Sequence, residues 1–169
     1  MFEFKKLVVR STLGLWLAAG ALLVASATPG MAERTISAPE VYTATKEKLA
    51  LSGYDPVAYF VAGAPKKGQA GISTVHQGTT WRFENEANKA AFLAQPAKYA
   101  PQYGGYCAYA VSQGYTASGD PTVWEIVDGK LYINYSRSVG VSWSKQARTY
   151  IASGDAHWAK RTRSEPPTN

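Results

Sequence analysis

Thr122-Val123-Trp124-Glu125-Ile126-Val127-Asp128-Gly129-Lys130-Leu131-Tyr132-Ile133-Asn134-Tyr135 carries the clearest structural signal in the chain. Two runs of β-branched and aromatic residues flank Asp128-Gly129, the pair that a two-residue type I′ turn favours. The register follows from the turn. Ile126 faces Leu131 and Trp124 faces Ile133, all on one side, while Glu125 and Tyr132 fall on the other. A slip of one residue would carry the apolar set to the wrong face, so the pairing is well specified.

Upstream, the same logic predicts a second hairpin. Ile72 to His76 and Thr79 to Phe83 flank Gln77-Gly78, with Trp81 and Phe83 on one face. Asn85 is a good N-cap for a helix over Glu86 to Ala94. Phe92 and Leu93 are expected to close that helix against the core before Pro96 stops it. Between the two hairpins lies Pro96-Ala-Lys-Tyr-Ala-Pro-Gln-Tyr-Gly-Gly-Tyr-Cys-Ala-Tyr-Ala-Val111. Gly104 and Gly105 allow a tight turn, and Tyr106 to Val111 then reads as a buried strand. Its Cys107 is the one cysteine of the chain. In that strand it is either a small hydrophobe or a metal ligand or reactive thiol.

Downstream of the first hairpin, Val139, Trp143 and Ala147 recur at four-residue spacing, with Tyr150 and Ile151 continuing the stripe. A helix is predicted over Ser138 to Ala152, and Asp155 to Trp158 adds a last turn. From Lys160 the chain is charged and then Pro-rich, which predicts a disordered tail over 160–169. Near the other end, Gly53 and Asp55-Pro56 punctuate the chain. Asp55 is expected to accept from a nearby backbone N–H, as aspartate does in turns. Val57 to Val61 fits a short helix or a short strand equally well. Residues 33–50 read as a polar lead-in.

The first residues read as a targeting segment. Lys5, Lys6 and Arg10 precede an apolar run from Leu13 to Ala25, and Gly30-Met31-Ala32 supplies small residues for cleavage. A signal peptide over 1–32 is expected, which places the mature chain in the periplasm or outside the cell. A lone cysteine there cannot form an internal disulfide, so this is no disulfide-stapled scaffold. The net charge of +6 falls without the leader and is spread without a long basic stripe. That excludes nucleic acid as an expected partner. The order of hairpins and helices predicts a small single α+β domain with antiparallel hairpins and two main helices.

Three pieces together resemble the exported bacterial YHS-domain proteins. They are Gly53-Tyr54-Asp55-Pro56-Val57-Ala58-Tyr59-Phe60; Gly78, Trp81-Arg82-Phe83, Phe92, Pro96, Lys98 and Tyr99; and Gly104-Gly105-Tyr106-Cys107-Ala108 followed by Trp124 to Tyr132. The resemblance covers about 51–135, with 136–159 as a C-terminal helical extension. It implies a treble-clef-like core and the handling of copper or another soft metal. Metal-binding relatives carry cysteines where this chain has Ala58, Glu84 and Asn88. Soft metals need soft ligands, so the family's cysteine site is absent here.

The donors that remain are Cys107, His76 and His157, with the carboxylates Asp55 and Glu84; Cys107, His76 and Asp55 make three ligands for a copper or zinc ion if the fold gathers them. A ligand pocket of Tyr54, Tyr106 and Tyr109 beside the cysteine is the companion expectation. The function expected is therefore non-enzymatic binding of a metal ion or small ligand near Cys107. Two alternatives stand beside it. One is a thiol enzyme in which His76, oriented by Asp55 or an amide, deprotonates Cys107. The other is an interaction module with a tyrosine-rich core. The chain has no Walker loop, no Gly-x-Ser-x-Gly and no His-Glu-x-x-His.

Overall fold

The computed structural model describes residues 35–44 and 47–164. The signal peptide expected at 1–32 and the tail residues 165–169 lie outside the described residues. In chain order the elements are β1 (Ser37–Ala38), α1 (Ala58–Val61), β2 (Gln69–His76), β3 (Thr79–Phe83), α2 (Glu86–Ala94), α3 (Pro96–Tyr99), α4 (Ala108–Ser112), β4 (Asp120–Val127), β5 (Lys130–Asn134), α5 (Arg137–Ser144), α6 (Ala147–Ala159) and β6 (Thr162–Arg163). The chain is thus a mixed α/β domain with six α-helices and short antiparallel hairpins among the described residues.

Both hairpins form as the turn chemistry dictates. Asp128 and Gly129 both take positive φ, and so do Gln77 and Gly78, as a type I′ turn requires. In the β4–β5 pair Trp124 faces Ile133, Glu125 faces Tyr132 and Ile126 faces Leu131. In β2–β3, His76 faces Thr79, and β2 begins earlier than expected, past an irregularity between Gln69 and Ser73.

β5 organises the interior because both of its faces are buried. Leu131 and Ile133 enter one apolar cluster with Trp81, Phe83, Phe92, Tyr59 and Tyr99. Tyr132 enters a second cluster with Tyr103, Tyr106, Val111 and Trp143. Asn85 caps α2 as expected, its side chain accepting from Asn88 N at 2.8 Å, and Phe92 is fully buried. Leu93 departs from expectation and is exposed. One residue on from Phe92, it lies about 100° around the helix and faces out.

Three further expectations need correction. Pro96 does not simply end a helix but opens α3, the position where a missing N–H costs nothing. The helix expected over Ser138 to Ala152 is two helices, broken where Gln146 leaves helical angles (φ −139°, ψ 35°). Just before the break, Ser144 Oγ turns back to the Gly140 carbonyl at 3.0 Å, a contact that weakens helix continuation. Finally, residues 160–164 are ordered rather than part of a disordered tail. Thr162 and Arg163 pair in parallel with Ser37 and Ala38, and the Arg161 guanidinium meets Glu40 at 2.6 Å. The lead-in is likewise packed, with Ile36, Ala38, Val41 and Leu49 buried.

Buried tyrosines of both clusters make stability sensitive to alkali. Burial, helped by the neighbouring Tyr42, pushes the Tyr106 hydroxyl up to about 12. Burial, with Asp155 and Asp128 nearby, pushes Tyr132 up to about 12 as well. Tyr59 and Tyr103 are raised further, chiefly by burial. Unfolded tyrosine ionises near pH ~10. The folded state therefore holds protons that the unfolded state has lost. The stability contributed is fully present below about pH 10 and falls away as pH rises towards 12 and beyond. Denaturation melts at stepped pH should show the midpoint dropping steeply across that window. A flat profile there would contradict the burial of these hydroxyls.

Candidate functional site

Cys107 does not lie in a strand. It precedes α4, and its own backbone makes one parallel bridge to Ile133 on β5. Tyr-Cys-Ala-Tyr-Ala-Val fits strand alternation locally, but a neighbour decides otherwise. Asn134, at the end of β5, accepts from Tyr109 N at 3.2 Å through Oδ1. A side chain from a distant strand thus caps the first turn of α4, a task usually given to the residue before the helix. The same oxygen receives the Cys107 thiol at 3.7 Å. Cys107 is 2% exposed, so its sulfur is sealed behind α4 and β5.

The other proposed ligands lie elsewhere. His76 is half-buried at the end of β2, its ring edge-on to Phe92 (5.6 Å between centroids) and near Trp81 (6.4 Å). Asp55 is fully buried. Its Oδ1 accepts from Val57 N at 2.8 Å and Ala58 N at 3.4 Å. Its Oδ2 accepts from Glu84 N at 2.8 Å and Asn88 Nδ2 at 2.6 Å. A carboxylate has about four acceptor positions, and protein donors fill them. Asp55 is therefore the turn residue the sequence suggested, extended to bind two more segments. Among the described residues, no group of three or more His, Cys, Asp or Glu side chains is arranged to hold a metal ion.

The three tyrosines are also divided. Tyr54 belongs to the margin of the first cluster, under the Lys67 ammonium at 3.9 Å. Tyr106 and Tyr109 belong to the second. Tyr106 packs on Tyr42 and Trp158, and Tyr109 packs edge-on to Tyr150. Their rings are core and core margin.

What the sequence reading missed is a groove of about 620 Å³ between the outer edge of β4 and α5. Trp124, Asn134, Arg137 and Val141 are among its lining residues. Gly140 lets α5 approach β4, since a Cβ there would crowd Val123. Asn134 forms the floor. It is 2% exposed, and its oxygen is fixed on the α4 side by the Tyr109 N–H donor. The buried side-chain polar atoms left without a partner among the described residues are Trp143 Nε1 and Arg161 Nε. The signal in the sequence was the asparagine itself, a polar residue ending the apolar run Leu131-Tyr132-Ile133.

The seal over the sulfur has a direct check. A thiol reagent should leave the native protein unlabelled over hours and modify one thiol per chain once denaturant is added. Rapid native labelling, with a thiolate forming well below the ordinary value of about 8.5, would show an accessible, activated sulfur instead.

Comparison of the chain with protein-family models, curated proteins and solved structures finds no match. No helix among the described residues is long and apolar enough to cross a membrane.

Proposed function

We propose that the chain is an exported, non-enzymatic binding domain of the YHS type, with a treble-clef-like core, that holds a small ligand in the β4–α5 groove. The YHS reading is supported by where the three cysteine-replacing positions lie. Ala58 is far in sequence from the neighbouring pair Glu84 and Asn88, yet all three residues give a hydrogen bond to the Asp55 carboxylate. Positions that share one metal in a relative must converge in this way. In this chain a carboxylate hub joins the segments that a metal would otherwise join.

The binding reading is carried by one observation, the groove of about 620 Å³ between β4 and α5 with the nearly buried Asn134 in its lining. In this reading the ligand lies next to Asn134, whose Oδ1 meets the Cys107 sulfur at 3.7 Å. The test is equilibrium dialysis of the purified protein against a mixture of small metabolites, with mass spectrometry of what is retained. Wild type and Cys107→Ala should retain the same compound, and Asn134→Asp should lose it. Asn134→Asp keeps the oxygen that caps α4 and removes the amide donor. Retention unchanged in Asn134→Asp would sink the groove. Copper or zinc held by wild type and lost by Cys107→Ala would return the site to the sulfur.

A further inference from the structure

We infer that a second cavity, of about 440 Å³, is a binding site for a small zwitterionic amino acid. It shares no lining residue with the β4–α5 groove, so the inference goes beyond the groove reading and does not lean on it. The cavity lies where the β2–β3 turn at Gln77, the start of β5 at Lys130, the turn at Tyr103 and the last part of α6 meet. Three charged residues line it: Glu40, Lys130 and Asp155. Glu40 is already answered, because its Oε2 takes Arg161 Nη2 at 2.6 Å and Arg163 Nε at 2.8 Å. The other two are not. Asp155 Oδ1 accepts from the neutral Tyr103 hydroxyl at 2.9 Å, and no cation meets Asp155 among the described residues. No carboxylate meets Lys130 there either, and no ion pair joins Lys130 to Asp155. The cavity wall thus carries one unanswered charge of each sign.

That arrangement selects the class of guest. A singly charged molecule matches one pole and brings a like charge towards the other, which is unfavourable. A zwitterion matches both poles and adds no net charge. The neighbours of Asp155 set the orientation. Asp155 is bound to Tyr103, whose ring lies 5.8 Å from that of Trp158, another residue of the wall. The Trp158 ring already carries the Arg161 guanidinium at 4.1 Å, and Glu40 answers that charge. The Asp155 carboxylate, rather than the ring, is therefore the anchor for the ammonium of the guest. The carboxylate of the guest belongs at Lys130. The volume falls within the range of small-molecule sites, about 300–1,000 Å³.

The experiment is a ¹H–¹⁵N NMR titration of the purified full chain at neutral pH with three probes of like size. They are alanine, alaninamide, which keeps only the ammonium, and propionate, which keeps only the carboxylate. Alanine should shift the Trp158 indole N–H and the Gln77 side-chain amide saturably. Alaninamide and propionate should each bind about tenfold more weakly, the scale of one lost hydrogen bond to a charged group. Two variants at exposed positions read the poles separately. Lys130→Gln should remove the preference for alanine over alaninamide. Asp155→Asn should remove the preference for alanine over propionate, while its amide oxygen still accepts from the Tyr103 hydroxyl. Variants that weaken all three probes alike overturn the assignment of the poles. No saturable shift with alanine overturns the site, and so does a singly charged probe that binds as well as alanine. None of these results bears on the groove, whose own test depends on Asn134.

Discussion

Replacing Asp55 by alanine should lower the unfolding free energy by about 3–5 kcal/mol, the range expected when a buried charged hydrogen-bond network is broken. The carboxylate receives four donors from three segments: the turn at Val57 and Ala58, the end of β3 at Glu84, and the first turn of α2 at Asn88. Alanine removes every acceptor at once and leaves buried donors unsatisfied. Domains of this size are stable by about 5–15 kcal/mol, so much of the total is at stake. Asp55→Asn keeps the shape but turns one acceptor into a donor facing donors, and should also cost stability, though less. Chemical denaturation with a linear fit measures both. A loss under about 1 kcal/mol for Asp55→Ala would mean that the hub holds little, since single hydrogen bonds alone reach that figure.

The second large effect should come from Gly104→Ala, with about 3 kcal/mol or more lost from strain and overpacking together. Gly104 sits at φ +62°, between Tyr103 at +54° and Gly105 at +86°. Three successive residues in this region swing the chain sharply before Cys107. The lead-in presses on the same point, where Tyr42 N donates to the Gly104 carbonyl at 2.9 Å. A Cβ on Gly104 would fall on the Glu40 carbonyl oxygen. Gly78→Ala provides the comparison. Gly78 has a similar φ of +69° but open space around it, so it isolates the backbone cost, about 1 kcal/mol. Equal losses at the two sites would show that the lead-in does not bear on the turn. Both variants are read by thermal and denaturant melts.

The parts of the fold legible in the sequence are those that local chemistry decides. Asp128-Gly129 and Gln77-Gly78 specified their turns, and alternation then specified the partners Trp124–Ile133 and Ile126–Leu131. Asn85 announced α2 by itself. The segment after Gly105 was misread because its helix depends on Asn134, a residue distant in the chain whose oxygen caps α4. The tail was misread for a similar reason. Nothing in Arg161-Thr162-Arg163 reveals that Glu40 and the backbone of Ser37–Ala38 await it. Asp55 was legible as a turn residue, but its grip on Glu84 and Asn88 was not, because those bonds span long stretches of chain. The groove was invisible for the same reason. It exists only once α5 lies along β4.

The two strands of the β4–β5 hairpin differ in how freely they can change. Positions 131–134 are walled in from both sides, so any new side chain there must satisfy two interiors at once. One strand away, Thr122 to Glu125 border open space on the groove side and answer to a single interior. The molecule thus sets an unyielding floor against an adjustable rim. Under the proposed binding role, the guest can be retuned at the rim by substitutions that leave the architecture beneath untouched.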